Sequence, residues 1–230
     1  MTRALERATR AAGVGATAAG LLAVGYVATT WLRYGRPRPG GATDPALDRF
    51  MPSYEVAERH ETLVRAAAPI TWAAARSLDL RRSPVIRAIF AGRELAMRAE
   101  PTRPTGSRTF LEEVLDLGWG ILAEEPGREL VLGAVTKPWE ADVRFRRLDP
   151  KDFAAFREPG YAKIAWTLAV EPLRADQSVF RTETRVLTTD PASRRRFRRY
   201  WSIFSPGIKV IRWEAVRLVR SAAERRVERG

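Results

Sequence analysis

The chain has one histidine, His60, and no cysteine. Without cysteine there are no disulfides, no thiolate nucleophile and no Cys-based zinc site. A hydrolytic triad or a histidine metal centre needs partners for the imidazole, and no G-x-S-x-G nucleophile motif is present. No metal site is expected. His60 has two readings: a strand histidine hydrogen-bonded to a neighbour, or a functional polar group. Glu183 and Arg185 share one strand face with Arg181. Surrounded by apolar groups, the Glu183 carboxyl would take a raised pKa and serve as an acid or base. On the outside of a sheet the same residues would simply pair their charges. Phe180 and Val186, on the opposite face with Thr182, Thr184 and Thr188, favour that face as the interior.

Aromatic residues are the second resource. Trp119, Trp139, Trp166, Tyr200, Trp201 and Trp213 supply a core, and some of them suit the lining of a pocket, which is mostly apolar and aromatic. Trp139, Trp166, Tyr200 and Trp201 are the candidates for ligand contact. The third resource is charge. The net charge is +13, of which the first 40 residues hold +5 and the remainder +8. Arg194, Arg195, Arg196, Arg198 and Arg199 surround Phe197 on a helical stretch. They form either a solvated helix face or a contact with an anionic membrane surface, where each arginine contributes about 1 kcal/mol. No zinc finger, aromatic RNA-binding motif or Gly-rich phosphate loop accompanies the charge, so a nucleic-acid partner is not expected.

Several elements must position these groups. Tyr54 to Arg65 alternates with strand periodicity, placing His60 on the same side as Tyr54, Val56, Glu58, Thr62 and Val64. Pro69 opens a helix through Trp72 to Leu78, and Ser83-Pro84 starts a second, with Val85, Ile86, Ile89 and Phe90 on one side. A loop around Pro101 to Gly106 leads to a short helix over Leu111 to Leu117. Strand-like runs follow at Trp119–Glu124, Glu129–Lys137 and Val143–Leu148. Asp149-Pro150 begins a short helical piece. Ala162–Pro172 and Ser178–Thr189 read as two long strands joined by a turn at Arg174 to Gln177. Asp190-Pro191 is a strong helix start, and the terminal helix carries Phe197, Tyr200, Trp201 and Phe204, then Ile208, Ile211, Ala215, Leu218 and Ala222. Pro206-Gly207 predicts a kink or break between those two halves.

Residues Ala11 to Leu32 contain no charged side chain across 22 positions. As a helix this run spans roughly 33 Å, enough for a hydrocarbon core of roughly 30 Å. Three readings compete: a membrane anchor, a cleaved signal peptide after Arg3, Arg7 and Arg10, and a soluble Ala-rich helix. The length of the run, the poor cleavage site at Thr29 to Leu32, and Tyr26 and Trp31 near its end favour the anchor. Residues 1–35 are therefore read as an N-terminal anchor with a transmembrane helix over about 11–32. Residues 36–53 are read as a Pro/Gly-rich linker with a short turn at Leu47 to Met51, and 54–228 as one folded domain. Localisation is single-pass at the cell membrane. The arginines are balanced on the two sides of the run, so the side occupied by the domain stays open. Gly15/Ala19 and Ala16/Gly20 are small-residue pairs that weakly favour a homodimer through the anchor.

The order of strand, two helices, several antiparallel strands and a long terminal helix is that of an α+β helix-grip fold, a curved antiparallel sheet wrapped around its C-terminal helix. The chain resembles the SRPBCC superfamily (START-like, Bet v 1-like and polyketide cyclase-like proteins). The residues behind this are His60 to Ala66 with Pro69 and Trp72, Gly133 to Trp139, Glu158 to Lys163, Thr182 to Val186, and Arg198 to Trp201. The resemblance implies a cavity between sheet and helix that holds a hydrophobic small molecule or lipid, without a cofactor. It equally admits a cofactor-independent cyclase/aromatase-type enzyme for a polyketide-like or isoprenoid ligand, with His60, Glu183 and Arg185 as candidate catalytic groups. A regulatory or scaffold domain of a membrane complex is the third class.

Overall fold

The computed structural model describes residues 24–35, 44–98 and 109–229. Helix α1 is described over residues 24–33. It is followed by α2 (Pro45–Asp48), β1 (Val56–Val64), α3 (Ala68–Arg76), a short 3-10 turn (Leu80–Arg82) and α4 (Pro84–Met97). Then come α5 (Phe110–Asp116), β2 (Gly120–Glu125), β3 (Glu129–Thr136), β4 (Phe145–Arg146), α6 (Pro150–Ala155), β5 (Ala162–Arg174), β6 (Gln177–Thr188) and α7 (Pro191–Val227). The sheet is antiparallel, in the order β1-β6-β5-β3-β2, with β4 paired to β3.

Both faces of the sheet are covered, which explains the burial of β3. Its sequence Leu130 to Val135 is an unbroken apolar run rather than an alternation, as expected of a strand with two dry sides. The inner face carries Leu130, Leu132, Trp166, Leu168, Val170 and Phe180, packed against α3, α5 and the C-terminal half of α7. The outer face carries Val131, Val135 and Ala165, covered by Leu47, Phe50 and Met51 from the α2 segment and by Phe153 of α6. Gly133 permits this second layer, because a Cβ there would lie 2.5 Å from Leu122 Cδ1 and 3.0 Å from the Phe153 ring.

Three expectations change. The strand expected over Val143–Leu148 shrinks to Phe145–Arg146. β2 already occupies the edge of β3 from Glu129 to Gly133, so only Ala134 to Thr136 remain, and β4 pairs the last two of them. Residues 44–53, read as linker, contain α2 and pack into the domain. Asp44 caps α2 by accepting from the Leu47 N–H at 3.0 Å, and Leu47 and Met51 are fully buried. The break expected at Pro206-Gly207 is absent: α7 is one helix of 37 residues. Proline's φ is compatible with a helix, and α7 is held against the sheet on both sides of Pro206, so the loss of one backbone hydrogen bond does not end it.

Among the described residues no helix is long and apolar enough to cross a membrane. The expected transmembrane run falls mostly outside them. Its described end, in α1, packs along α7. Tyr26 Oη lies 3.0 Å from Ser205 Oγ, and Arg198 donates from Nε to the Trp31 carbonyl at 2.9 Å while its guanidinium stacks 4.1 Å from the Trp31 ring.

Candidate functional site

Pleating sends alternate residues of each strand to opposite faces, so register decides which candidates can meet. On the inner face three rows are fixed by pairing. Val56 opposes Val186, which opposes Ile164. Glu58 opposes Thr184, which opposes Trp166. His60 opposes Thr182. The inner face is therefore apolar at both ends and polar across its middle, where Glu58, Thr184, His60 and Thr182 form a band from β1 to β6. Glu58, Thr182 and Thr184 are buried.

Helix α7 crosses this band. Lys209 Nζ lies 3.4 Å from Glu58 Oε1. Arg212, one turn further on, also acts on Glu58. Burial pushes its guanidinium down to about 10, with Glu58 opposing the shift, so it stays protonated at neutral pH. Thr184 Oγ1, Arg212 Nε and Trp139 Nε1 are buried and have no hydrogen-bond partner among the described residues. Trp139 and Tyr200 pack against the cluster of Val56, Val186, Phe197 and Trp201, beside the band. Burial raises the Tyr200 hydroxyl pKa, and Arg93 of α4 partly counters it.

The sequence candidates separate accordingly. His60 is on the inner face. Trp166 lines it too, its ring 5.7 Å from Phe110 and 6.0 Å from Trp119. Trp201 is stacked 5.8 Å from Phe197 in the core between α7 and the sheet. Glu183 and Arg185 point to the other side. Arg185 donates from Nε to Glu183 at 2.8 Å, and from its terminal nitrogen to Asp48 at 2.5 Å and to the Met51 carbonyl at 3.0 Å. Burial works against this guanidinium's charge, but the bonds to Asp48 and Glu183 outweigh it and raise its pKa. Arg59 adds a second cation 3.7 Å from Glu183. The pair fastens the α2 segment to the sheet and does not share a site with His60. Glu58, Thr184 and Arg212 complete the inner band. Glu58 and Thr184 were visible as alternating strand positions, whereas Arg212 sits among Ile208, Ile211 and Ala215 and was masked by that apolar spacing.

Of the basic cluster, Arg194 is 3.3 Å from Glu55 and Arg198 is engaged with Trp31, while Arg195, Arg196 and Arg199 are exposed. Beyond the sheet edge lies an open cleft of about 530 Å³, lined by Leu115, Trp119, Ile121, Arg147 and Leu148. Trp119 joins it to the inner face through its contact with Trp166. No group of residues suited to a metal ion occurs among the described residues.

No family model matches the chain, and no curated protein matches its sequence. Among solved structures it is similar to a norcoclaurine synthase from Thalictrum flavum, with 14% identity, 75% of this chain and 92% of that chain covered, and a TM-score of 0.35. It is also similar to an aromatase/cyclase from Streptomyces, with 16% identity, coverage of 75% and 95%, and a TM-score of 0.26. A START superfamily protein from Mycobacterium smegmatis gives 13% identity, coverage of 75% and 97%, and a TM-score of 0.24. The helix-grip assignment stands on the chain's own strand order and on α7 lying across the inner face.

Proposed function

We propose that the chain is a membrane-tethered binding domain for a hydrophobic small molecule or lipid, held between the inner face of the sheet and α7. The observation that carries this reading is the open cleft of about 530 Å³ with Trp119 in its wall, joined through the contact of Trp119 with Trp166 to the inner face that α7 covers. Ligand sites are concave and mostly apolar with aromatic walls, so a cleft of this size beside the inner face suits such a guest. Tethering draws support from the uncharged run, from Tyr26 and Trp31 near its end, and from the apolar groups exposed around α1 and α7. Leu32, Ile203 and Trp213 are each about 60% exposed, and Phe90 of α4 is 48% exposed. An exposed apolar side chain such as Ile203, one turn beyond the exposed Arg199 on α7, suits a lipid interface.

The test is native mass spectrometry of the full chain released from mild detergent, followed by solvent extraction. The expected result is a defined apolar adduct on the folded protein. A protein that carries none, and takes up no hydrophobic probe when offered, removes the reading. A second reading is favoured by the position of His60 alone: a cofactor-independent catalyst that moves a proton at the inner face. Unchanged turnover of an identified ligand by His60→Ala would dismiss it.

A further inference from the structure

The outward face of α7 carries unusual residues for a helix side turned to solvent. From Arg199 to Trp213 its only exposed positions are Arg199, Ile203, Pro206, Val210 and Trp213. They are spaced alternately by four and three residues, so they form one stripe along the helix. The face turned away from a core is normally charged or polar, yet the last four positions of this stripe are apolar. Two helices flank the stripe without covering it. Helix α1 lies along one side, with Tyr26 Oη 3.0 Å from Ser205 Oγ and Lys209 Nζ 5.6 Å from the Tyr26 ring. Helix α4 runs along the other. There Ser83 Oγ donates to Glu214 at 3.0 Å, and a Cβ at Gly207 would lie 2.9 Å from Ile89 Cγ2, so glycine lets the two helices close. At about 3.6 residues per turn, Ser205 and Lys209 fall to one side of the stripe and Gly207 and Glu214 to the other. Each flank exposes an apolar side chain of its own, Leu32 on α1 and Phe90 on α4.

Charge selects what covers this stripe. From Pro191 to Trp213 α7 holds seven arginine and lysine residues and no acid, and Glu94 is the single acid in the described parts of α1 and α4. Arg217 and Arg220, beyond the apolar part, are paired with Glu214 and Glu224. The surplus therefore sits at the other end, where Arg195, Arg196 and Arg199 are exposed. A second copy of the chain would set that surplus against itself. An anionic bilayer answers both parts of the face. It offers anionic groups at headgroup depth for the arginines and an apolar boundary for Ile203, Val210 and Trp213, a tryptophan being well suited to that boundary. We propose that the outward stripe of α7 is a docking face that lies flat on an anionic lipid bilayer. Ile203, Val210 and Trp213 enter the apolar boundary, and Arg195, Arg196 and Arg199 hold the headgroups. This rests on the membrane location proposed above, adds the face and the lipid charge, and requires no particular ligand in the cleft.

The chain has no cysteine, so one introduced thiol is a unique site for a label. Val210→Cys reports on the stripe. Lys151→Cys, exposed on α6 across the sheet, reports on the opposite side. Each full chain carries a polarity-sensitive bimane and is reconstituted with vesicles of phosphatidylcholine alone or mixed with phosphatidylserine. The expected result is emission shifted to shorter wavelength for the Val210 label with phosphatidylserine only, and an aqueous spectrum for the Lys151 label in both lipids. Replacing Arg195, Arg196 and Arg199 together by Gln should move the docking equilibrium about a hundredfold toward water, at about 1 kcal/mol for each arginine. A Val210 label that stays aqueous while the chain floats with the vesicles overturns the docking face and leaves the tether standing. A chain that leaves both kinds of vesicle overturns both. Equal shifts in the two lipids overturn the anionic preference, and equal shifts at Val210 and Lys151 overturn the assignment of the face. Shielding of the Val210 label by duplex DNA but not by phosphatidylserine assigns the face to nucleic acid and overturns the proposal.

Discussion

Lys163 shows how one buried side chain leaves a measurable trace. It sits on the outer face of β5, only 2% exposed, its Nζ donating to the Ala154 carbonyl at 3.1 Å and lying 5.0 Å from the centre of the Phe153 ring. Burial, with a smaller push from Arg157, brings its pKa down to about 8. In the unfolded chain a lysine titrates near ~10.4. Between those two values the unfolded state binds more protons, so stability rises as pH increases across that window. Lys163→Met removes a poorly compensated charge and keeps a similar shape. It should stabilise the protein by about 1–3 kcal/mol at pH 7, with the gain shrinking as pH rises from about 8 toward 10. Urea titrations of both proteins at several pH values check this. Asp190 works in the opposite sense. Its carboxylate accepts from Ser193 Oγ and the Gly160 N–H, and from the Ser193 and Ala192 N–H groups, which holds its pKa well below the ordinary value. Its contribution is complete above the unfolded pKa and is lost as pH falls through the folded one. The stability gap between wild type and Asp190→Ala should thus be constant from pH 7 to 5 and close below about 4.

At the scale of elements, the segment before β1 and the proline in α7 carry the clearest consequences. Leu47 is fully buried on the outer sheet face with Val131 and Phe153. Leu47→Ala should cost about 2–5 kcal/mol in chemical denaturation, as for a core leucine and unlike a linker residue. Pro206 removes a hydrogen bond from a helix that continues past it, so Pro206→Ala should stabilise the fold by about 1–3 kcal/mol. Capping residues and period made most elements legible in sequence. Ser83 and Asp190 do cap α4 and α7, the alternation of β5 and β6 locates those strands to within two residues, and the Thr face of β6 is the interior. What stayed hidden depends on partners distant in sequence. The α2 segment looks like linker because its apolar residues are few and follow Pro and Gly, and only the outer face of the sheet gives them something to bury against. The same holds for Glu183 and Arg185, whose partner Asp48 lies 137 residues from Arg185. Trp139, Trp166, Tyr200 and Trp201 lie around the inner face and its flanking core because bulky rings go where area is buried, whereas Trp213, expected in the core, is exposed on α7. The polar band could not be read until register brought β1 beside β6.

For the whole molecule, charge and tether make separable predictions. A protein of net charge +13 with exposed Arg195, Arg196 and Arg199 should associate with anionic vesicles through charge alone. In flotation with phosphatidylserine vesicles, the full chain should stay with the lipid in molar salt, where electrostatic attraction is screened. Release of the full chain by salt would mean that the N-terminal run is not embedded. The contact between α1 and α7 adds a mechanical consequence. Tyr26 meets Ser205, Arg198 grips the Trp31 carbonyl, and Tyr34 is buried with its hydroxyl 2.5 Å from Glu55. The joint is therefore a bracket rather than a leash. A domain on a leash samples every heading and explores a hemisphere. If the run before α1 is embedded as proposed, a domain on a bracket would hold one height and one tilt, and its proposed binding face would be presented at a set angle.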